Sequence, residues 1–285
     1  MPFKSSRNIL SLFHQASVFC SSKIIEMEFI QTEINQGVGI IRLNRPDVFN
    51  SFNRQMAFEC QAALDQFSVD HTVRAILITG NGKAFCAGQD LKEVTTPELN
   101  PGFLAILEEH YNPIIQRIRT IEKPIVAGVN GVAAGAGANI ALACDIVIAN
   151  ENASFIQAFS KIGLVPDSAG TFFLPRLIGF QKATALCMLG DKVSASDADK
   201  MGMIYKAVPA DVFETEILKT AHTLAEMPTK ALGLTKRLLN QSLTNNLDQQ
   251  LQLESDLQIE ASSSADYKEG VAAFVEKRKP VFKGE

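Results

Sequence analysis

Ile125-Val-Ala-Gly-Val129-Asn-Gly-Val-Ala-Ala-Gly135-Ala-Gly137-Ala-Asn139-Ile-Ala-Leu-Ala-Cys-Asp145-Ile146-Val-Ile-Ala149 decides how this chain folds. Its two ends, Ile125 to Val129 and Ile146 to Ala149, are short uninterrupted apolar runs. Such runs mark strands buried on both faces of a parallel sheet. Small residues and then a helix, starting near Gly135, separate them. Strand, helix, strand in this rhythm specifies an α/β architecture. Ala75 to Thr79 repeats the buried-strand pattern upstream and closes at Gly80-Asn-Gly82.

Further upstream, Phe29 to Ile34 and Val38 to Leu43 are β-rich runs joined by Asn35-Gln36-Gly37, a hairpin signal. A polar turn over 44–53 then ends in cap-type residues. It leads into a helix with apolar positions at Met56, Cys60, Ala63, Leu64 and Phe67. After about residue 210 the strand signals stop. Val212 to Ala225, Lys230 to Leu243, Leu247 to Ala261 and Tyr267 to Lys279 read as helices. Thr229 is placed to cap the second of these, and Asp266 with Glu269 to start the last. The expected organisation is an extension over 1–27, a core over 28–210 and a helical region over 211–285.

Composition bounds the function. With 46% hydrophobic residues in 285, the chain can build a sizeable core, and its net charge of -4 argues against a nucleic-acid binder. No run reaches the eighteen or so apolar residues of a membrane span. Five scattered cysteines (Cys20, Cys60, Cys86, Cys144, Cys187) without a CxxC pair fit a reducing cytosol and suggest no zinc site. The first 25 residues hold Lys4, Arg7, Lys23 and six serines, with no acid before Glu26. That is either the composition of a mitochondrial transit peptide or a sign that Met27 is the true start, and the segment is expected to be poorly ordered or peripheral.

Three stretches carry chemistry. Lys83-Ala-Phe-Cys-Ala-Gly-Gln-Asp-Leu91 follows a buried strand, and Ala87 and Gly88 leave main-chain N–H groups reachable by a ligand. The alternative is a tight turn that needs small residues. Cys86 has no histidine near it in sequence and reads as a buried thiol. The second stretch lies within the opening quotation. The N–H groups of a helix beginning near Gly135 are unpaired and favour an anion. Gly135-Ala-Gly137 lacks the third glycine of a dinucleotide fingerprint, because Ile140 stands there. In the third, Lys161-Ile-Gly-Leu-Val-Pro-Asp167-Ser-Ala-Gly-Thr171, a lone acid sits in an apolar, glycine-rich turn. Either Asp167 caps the next helix, or the run Thr171 to Ile178 shields it so that a raised pKa suits it to proton transfer. Two N–H donors aimed at one oxygen form an oxyanion hole, each worth roughly 2.7–4 kcal/mol. With one shielded carboxylate, the set implies proton transfer beside an activated carbonyl. His71 and His110 read as surface or filler residues, and Asp145 as a turn anchor.

On Ala84-Phe-Cys-Ala-Gly-Gln-Asp-Leu91, Gly131 to Gly137, Ala141-Leu-Ala-Cys-Asp145, Gly163 to Gly170 and Phe274 to Pro280, the sequence resembles the crotonase (enoyl-CoA hydratase/isomerase) superfamily over residues 28–285. The resemblance implies a spiral of ββα units with a C-terminal helical trimerisation region, forming homotrimers or dimers of trimers. It implies an acyl-CoA thioester as substrate, with no metal or redox cofactor. It assigns the N–H groups of Gln89 and Ala136 to the oxyanion hole and Asp167 to catalysis. Substrate and CoA contacts fall to Asp47, Val48, Asn50, Ala87, Gly88, Asp90, Leu91, Lys92 and Gly135. Phe274 and Lys277 would reach the nucleotide end of CoA on a neighbouring subunit. Hydratases of the family carry two glutamates where this chain has Asn139 and Phe159. Asp167 stands where hydratases have glycine and several isomerase-type members have an acid. The phrase Ile162 to Arg176 is similar to that of members that isomerise a ring epoxide or shift the double bond of 3-enoyl-CoA thioesters. The expectation is an isomerase, cytoplasmic or, with a real transit peptide, mitochondrial. A weak hydratase is the rival, and a non-catalytic scaffold or RNA-associated homologue is the rival of another class.

Overall fold

A computed structural model describes residues 27–285; most of the expected N-terminal extension lies outside the described residues. The apolar runs form the middle of a six-stranded sheet ordered β1 (Ile30–Asn35), β2 (Val38–Leu43), β3 (Ala75–Gly80), β5 (Ile125–Val129), β7 (Ile146–Asn150) and β10 (Lys206–Val208). The β1–β2 pair is the expected antiparallel hairpin, and every later pairing is parallel. A second sheet runs β4 (Ala84–Cys86), β6 (Val132–Ala134), β8 (Ser154–Ile156) and β9 (Lys192–Ser194). Each of β3, β5 and β7 therefore passes straight into a short strand of the second sheet and then into a helix. Repeated three times, this step is the ββα spiral.

Strand alternation explains why both faces of the large sheet are apolar. Ile41, Ile76, Ile78, Ile125, Ala127 and Val147 point into the main core, where the helix Arg54–Val69 adds Met56, Cys60, Leu64 and Phe67. Asn53 caps that helix by accepting a hydrogen bond from the N–H of Met56. Val38, Ile40, Leu77, Val126 and Ile148 point the other way, under Phe213, Ile217, Ala221 and Ala225 of the helix Phe213–Ala225. Burying one such aliphatic side chain contributes about 1.5–3 kcal/mol, so this helix is welded to the sheet. The last three helices are Thr229–Ser242, Leu247–Ser262 and Ala265–Glu276. No helix among the described residues is long and apolar enough to cross a membrane.

Two expected caps are corrected. Thr229 does not cap its helix; Pro228 holds that position, and the Thr229 hydroxyl accepts from Arg74 instead. The last helix is capped by Ser264, which accepts from the N–H of Tyr267. Asp266 instead accepts from the N–H groups of Lys283 and Gly284, and Glu269 pairs with Arg278. In both cases a tertiary partner outcompetes the local role.

One segment had no clear pattern and proves to matter. Residues Phe103–Ala105 begin a helix that widens into a π turn at Ile106–Tyr111 and resumes as Asn112–Thr120. Pro113 is the local cause. It has no N–H to give to the carbonyl four residues back, that of Glu109. The Gln61 side chain supplies the missing donor, at 2.7 Å from the Glu109 oxygen.

Candidate active site

The two small-residue turns meet at the carboxyl ends of β4 and β6. Beyond β4 the chain lies beside Phe52, whose N–H donates to the Gly88 carbonyl (2.7 Å) and whose carbonyl accepts from Asp90 (2.8 Å). In this parallel bridge the residue between, Gln89, makes no bond to Phe52. Its N–H is left without a partner among the described residues. Gly88 has φ +93°, and a Cβ there would sit 3.0 Å from the Ala134 carbonyl and 3.6 Å from the Ala136 nitrogen. The missing side chain is what lets the two turns lie side by side.

Beyond β6, Gly135 donates to the Ile156 carbonyl and Ala136 begins the helix Ala136–Ala143. The Ala136 N–H is a first-turn donor with no intrahelical acceptor, at the positive end of the helix. A Cβ on Gly137 would come within 2.3 Å of the Cys86 carbonyl, so that helix packs directly on β4. Ala87, Gly88, Gln89, Gly135 and Ala136 all line one cavity of about 300 Å³.

Asp167 lines the same cavity, and among the described lining residues it is the sole carboxylate. Burial pushes its carboxyl above the usual carboxylate range, opposed by a hydrogen bond from the Ser168 hydroxyl at 2.8 Å. The reading of Asp167 as a helix cap is corrected. The helix Gly170–Ile178 starts after Ala169, with no side-chain cap. Instead, Ser168 and Ala169 adopt two successive left-handed conformations (φ 50° and 59°), an unfavourable pair for non-glycine residues. Cross-bonds hold this turn. The Asp167 carbonyl accepts from Asn139 Nδ2 and from the Gly170 N–H, both at 2.9 Å. Asn139 Oδ1 in turn accepts from Gln157 Nε2 at 2.8 Å. Asn139 thus pairs with backbone, and its amide anchors the turn that carries the acid.

The source of the shield is also corrected. The apolar wall around Asp167 comes from Ile106, Leu107, Tyr111, Phe159 and Leu164. Thr171 and Pro175 face a neighbouring groove of about 500 Å³. Phe159, 6% exposed, presents to this cavity a ring that cannot exchange a proton.

The remaining expected residues separate into groups. Asp47, Val48, Leu91 and Lys92 are exposed, on the turn Pro46–Val48 or at the start of the helix Leu91–Thr95; Leu91 also lines the cavity. Asn50 is fully buried; its amide accepts from Arg45 N–H and donates to the carbonyls of Asn81 and Ala84. Asp90 caps Lys92 and forms a 2.8 Å ion pair with Arg45. The side chains of Asn50 and Asp90 thus hold the loops that carry the two expected contact segments. Phe274 is 86% exposed in a separate groove beside Pro228 and Tyr267, and neither it nor Lys277 lines the Asp167 cavity of its own chain.

Cys86 is buried and its thiol is pushed up to about 12, as expected of a packing cysteine. Asp145 accepts from the N–H of Ile125 and pairs with Arg119 and Lys236. His110 is buried filler and His71 is exposed. Sequence reasoning missed Tyr111 and Gln157. Pro113 just past an apolar stretch was a usable sign of the irregular helix that carries Tyr111. Nothing local distinguished Gln157.

Comparison with known proteins identifies the family. The family model for enoyl-CoA hydratase/isomerase matches residues 33–285. The chain is 45% identical over 260 residues to the 1,2-epoxyphenylacetyl-CoA isomerase of Escherichia coli K12, covering 90% of this chain and 99% of that one. It is also 45% identical over 255 residues to a Rhodobacter capsulatus protein named "Probable enoyl-CoA hydratase", covering 90% and 98%. The crystal structure of an enoyl-CoA hydratase from Bacillus anthracis superposes with a TM-score of 0.84 at 32% identity, covering 90% and 100%. The chain belongs to the enoyl-CoA hydratase/isomerase family.

Proposed function

We propose that this member of the enoyl-CoA hydratase/isomerase family is an acyl-CoA isomerase acting on 1,2-epoxyphenylacetyl-CoA, on 3-enoyl-CoA thioesters, or on both. The observation that carries the reading is that Asp167, the sole carboxylate among the described lining residues, shares one cavity with Gln89 and Ala136, whose N–H groups have no partner among the described residues. Those two donors hold the thioester oxygen and stabilise the negative charge that develops there, which acidifies the α-carbon. Asp167 takes a proton from C2 of a 3-enoyl thioester, the electrons move through C2=C3, and the same carboxyl returns the proton at C4. One base that accepts and then donates is sufficient for this shift, and its raised pKa suits both steps. No metal or redox cofactor takes part in the scheme.

Asn139 and Phe159 stand where hydratases of the family carry the two glutamates that activate water, which favours isomerisation over hydration. The exposed Asp47, Val48 and Lys92 are assigned to the CoA portion. Phe274 and Lys277 are assigned to the CoA of a neighbouring subunit in a homotrimer or a dimer of trimers. The exposed apolar side chains of Val271, Phe274 and Val275 on one helix support such an assembly. The hydratase reading is kept as second because a 45% identical relative carries that name. Incubation with 3-hexenoyl-CoA, 2-hexenoyl-CoA and 1,2-epoxyphenylacetyl-CoA, with products separated by chromatography, tests the proposal. Isomerised products are expected, and conversion of 2-hexenoyl-CoA to its 3-hydroxy adduct as the sole reaction would overturn it.

A further inference from the structure

We infer that Tyr111 is a positioning residue that, through the Gln89 side chain, fixes the Gln89 main-chain N–H against the substrate oxygen. The inference rests on the acyl-CoA reading above. Tyr111 is 1% exposed and lines the cavity with Asp167 and Gln89. Its hydroxyl donates to Gln89 Oε1 at 3.0 Å. The other end of that amide, Nε2, donates to Glu93 Oε2 at 2.7 Å. Glu93, itself buried, accepts on Oε1 from the N–H of Arg54, the first residue of the helix Arg54–Val69. The Gln89 side chain is thereby held at both ends and grounded on a helix N-terminus.

The chemistry fixes what this chain of bonds can do. A tyrosine hydroxyl has one proton, and here it points at Gln89 rather than into the cavity. Burial raises the Tyr111 pKa, so that proton stays in place near neutrality. Tyr111 is therefore not a second acid. What it acts on is the peptide that joins Gly88 to Gln89. The carbonyl of that peptide is fixed by Phe52, but Gly88, with φ +93° and no Cβ, allows the unit to rock. Anchoring the side chain of Gln89 removes that freedom at the adjoining Cα.

The widened helical turn is part of the same device. Asn112 donates to the carbonyl of Leu107, five residues back, and Gln61 satisfies the Glu109 carbonyl that Pro113 leaves without a donor. π turns of this kind are frequently found at functional sites. This one ends on Tyr111, whose ring packs against Phe52 with centroids 6.1 Å apart. The residue that grips the Gly88 carbonyl and the residue that grips the Gln89 amide are thus packed against each other.

The test uses the full chain and butanoyl-CoA carrying a 13C thioester carbonyl, a ligand with no double bond to move. In the wild type, infrared difference spectra should show the bound carbonyl stretch shifted to lower frequency by the two N–H donors. Tyr111→Phe should shrink that shift and lower kcat for 3-hexenoyl-CoA about tenfold with KM within about twofold, since a misaligned donor costs less than the 10²–10³ of a deleted one. Gln89→Met, which keeps the N–H but loses both side-chain bonds, should do the same, and the double variant should be no worse than either alone. If Tyr111→Phe folds and shows the wild-type carbonyl frequency and kcat, the inference is wrong while the acyl-CoA reading stands. Should Tyr111→Phe fail to fold, wild-type behaviour in Gln89→Met overturns the inference equally. Absence of any carbonyl shift in the wild type would remove the acyl-CoA reading and this inference together.

Discussion

Replacing Asp167 by asparagine separates chemistry from folding, because the structure predicts opposite effects on the two. General acid–base catalysis by a placed side chain contributes about 10²–10⁴ in rate, or roughly 2.7–5.4 kcal/mol of barrier. Asp167→Asn should therefore lower kcat for 3-hexenoyl-CoA by at least about a hundredfold. Stability should not follow. Burial holds the Asp167 carboxyl above its unfolded value, so the folded state binds this proton more tightly. Its contribution to stability is complete below the unfolded pKa and is lost as pH rises through the folded one. At pH 7 the ionised group is a cost to the fold, and asparagine removes that cost. Asparagine Oδ1 can still accept from the Ser168 hydroxyl, and the Asn139 bond goes to the main-chain carbonyl, which is unchanged. The variant's midpoint in thermal melts at pH 7 should equal or exceed that of the wild type. The same sign predicts that wild-type kcat/KM rises with pH through an apparent pKa above that of a free carboxylate. Full turnover in the variant, or a drop in its melting midpoint of more than about 5 °C at pH 7, would refute the reasoning.

Asn139→Ala should destabilise the protein by about 1–3 kcal/mol in urea titrations, because it leaves Gln157 Nε2 buried and releases the Asp167 carbonyl. Its kcat should fall while butanoyl-CoA still binds. Gly88→Ala forces a Cβ into a left-handed conformation 3.0 Å from the Ala134 carbonyl. A stability loss of about 1–3 kcal/mol and a fall in kcat/KM of about a hundredfold are expected from calorimetry and steady-state kinetics. Lys236→Met removes a 6%-exposed ammonium from its 2.8 Å contact with Asp145. Breaking a buried pair costs about 3–5 kcal/mol, but Asp145 keeps Arg119 and the Ile125 N–H, so a loss of about 1–3 kcal/mol with normal kcat is expected in the same assays.

The central strands were legible in the sequence because a parallel strand covered on both faces is apolar along nearly its whole length, as Ala75 to Ile78 and Ile125 to Val129 are. The two donor turns were legible because only small residues permit the approach of β4 to the helix Ala136–Ala143. The tertiary partners of Asn50, Asp90, Thr229 and Asp266 were not. Each is a polar residue with a plausible local or ligand-facing use, and each found a stronger partner far along the chain. Asn50, for example, bonds the carbonyl of Ala84, 34 residues away. The Asp167 shield was misplaced for a related reason. Thr171 to Ile178 is apolar and adjacent in sequence, but Thr171 and Pro175 face the neighbouring groove and Leu174 and Ile178 the core, while the wall comes from Ile106, Leu107, Tyr111, Phe159 and Leu164. A π turn made by one proline and one distant glutamine leaves no periodic trace.

The cross-bonded turn around Asp167 has a practical corollary. Its carbonyl is tied to the helix that supplies the Ala136 donor, and the next peptide but two opens the helix Gly170–Ile178. Under the proposed function, the proton carrier and one of the two oxyanion donors share one hydrogen-bonded frame, so moving one disturbs the other. The opposite wall, built on the irregular helix, shares no such tie to the acid. Exchanging the side chains of Ile106 and Leu107 while keeping Tyr111 is thus expected to change what the cavity accepts with the proposed reacting geometry retained.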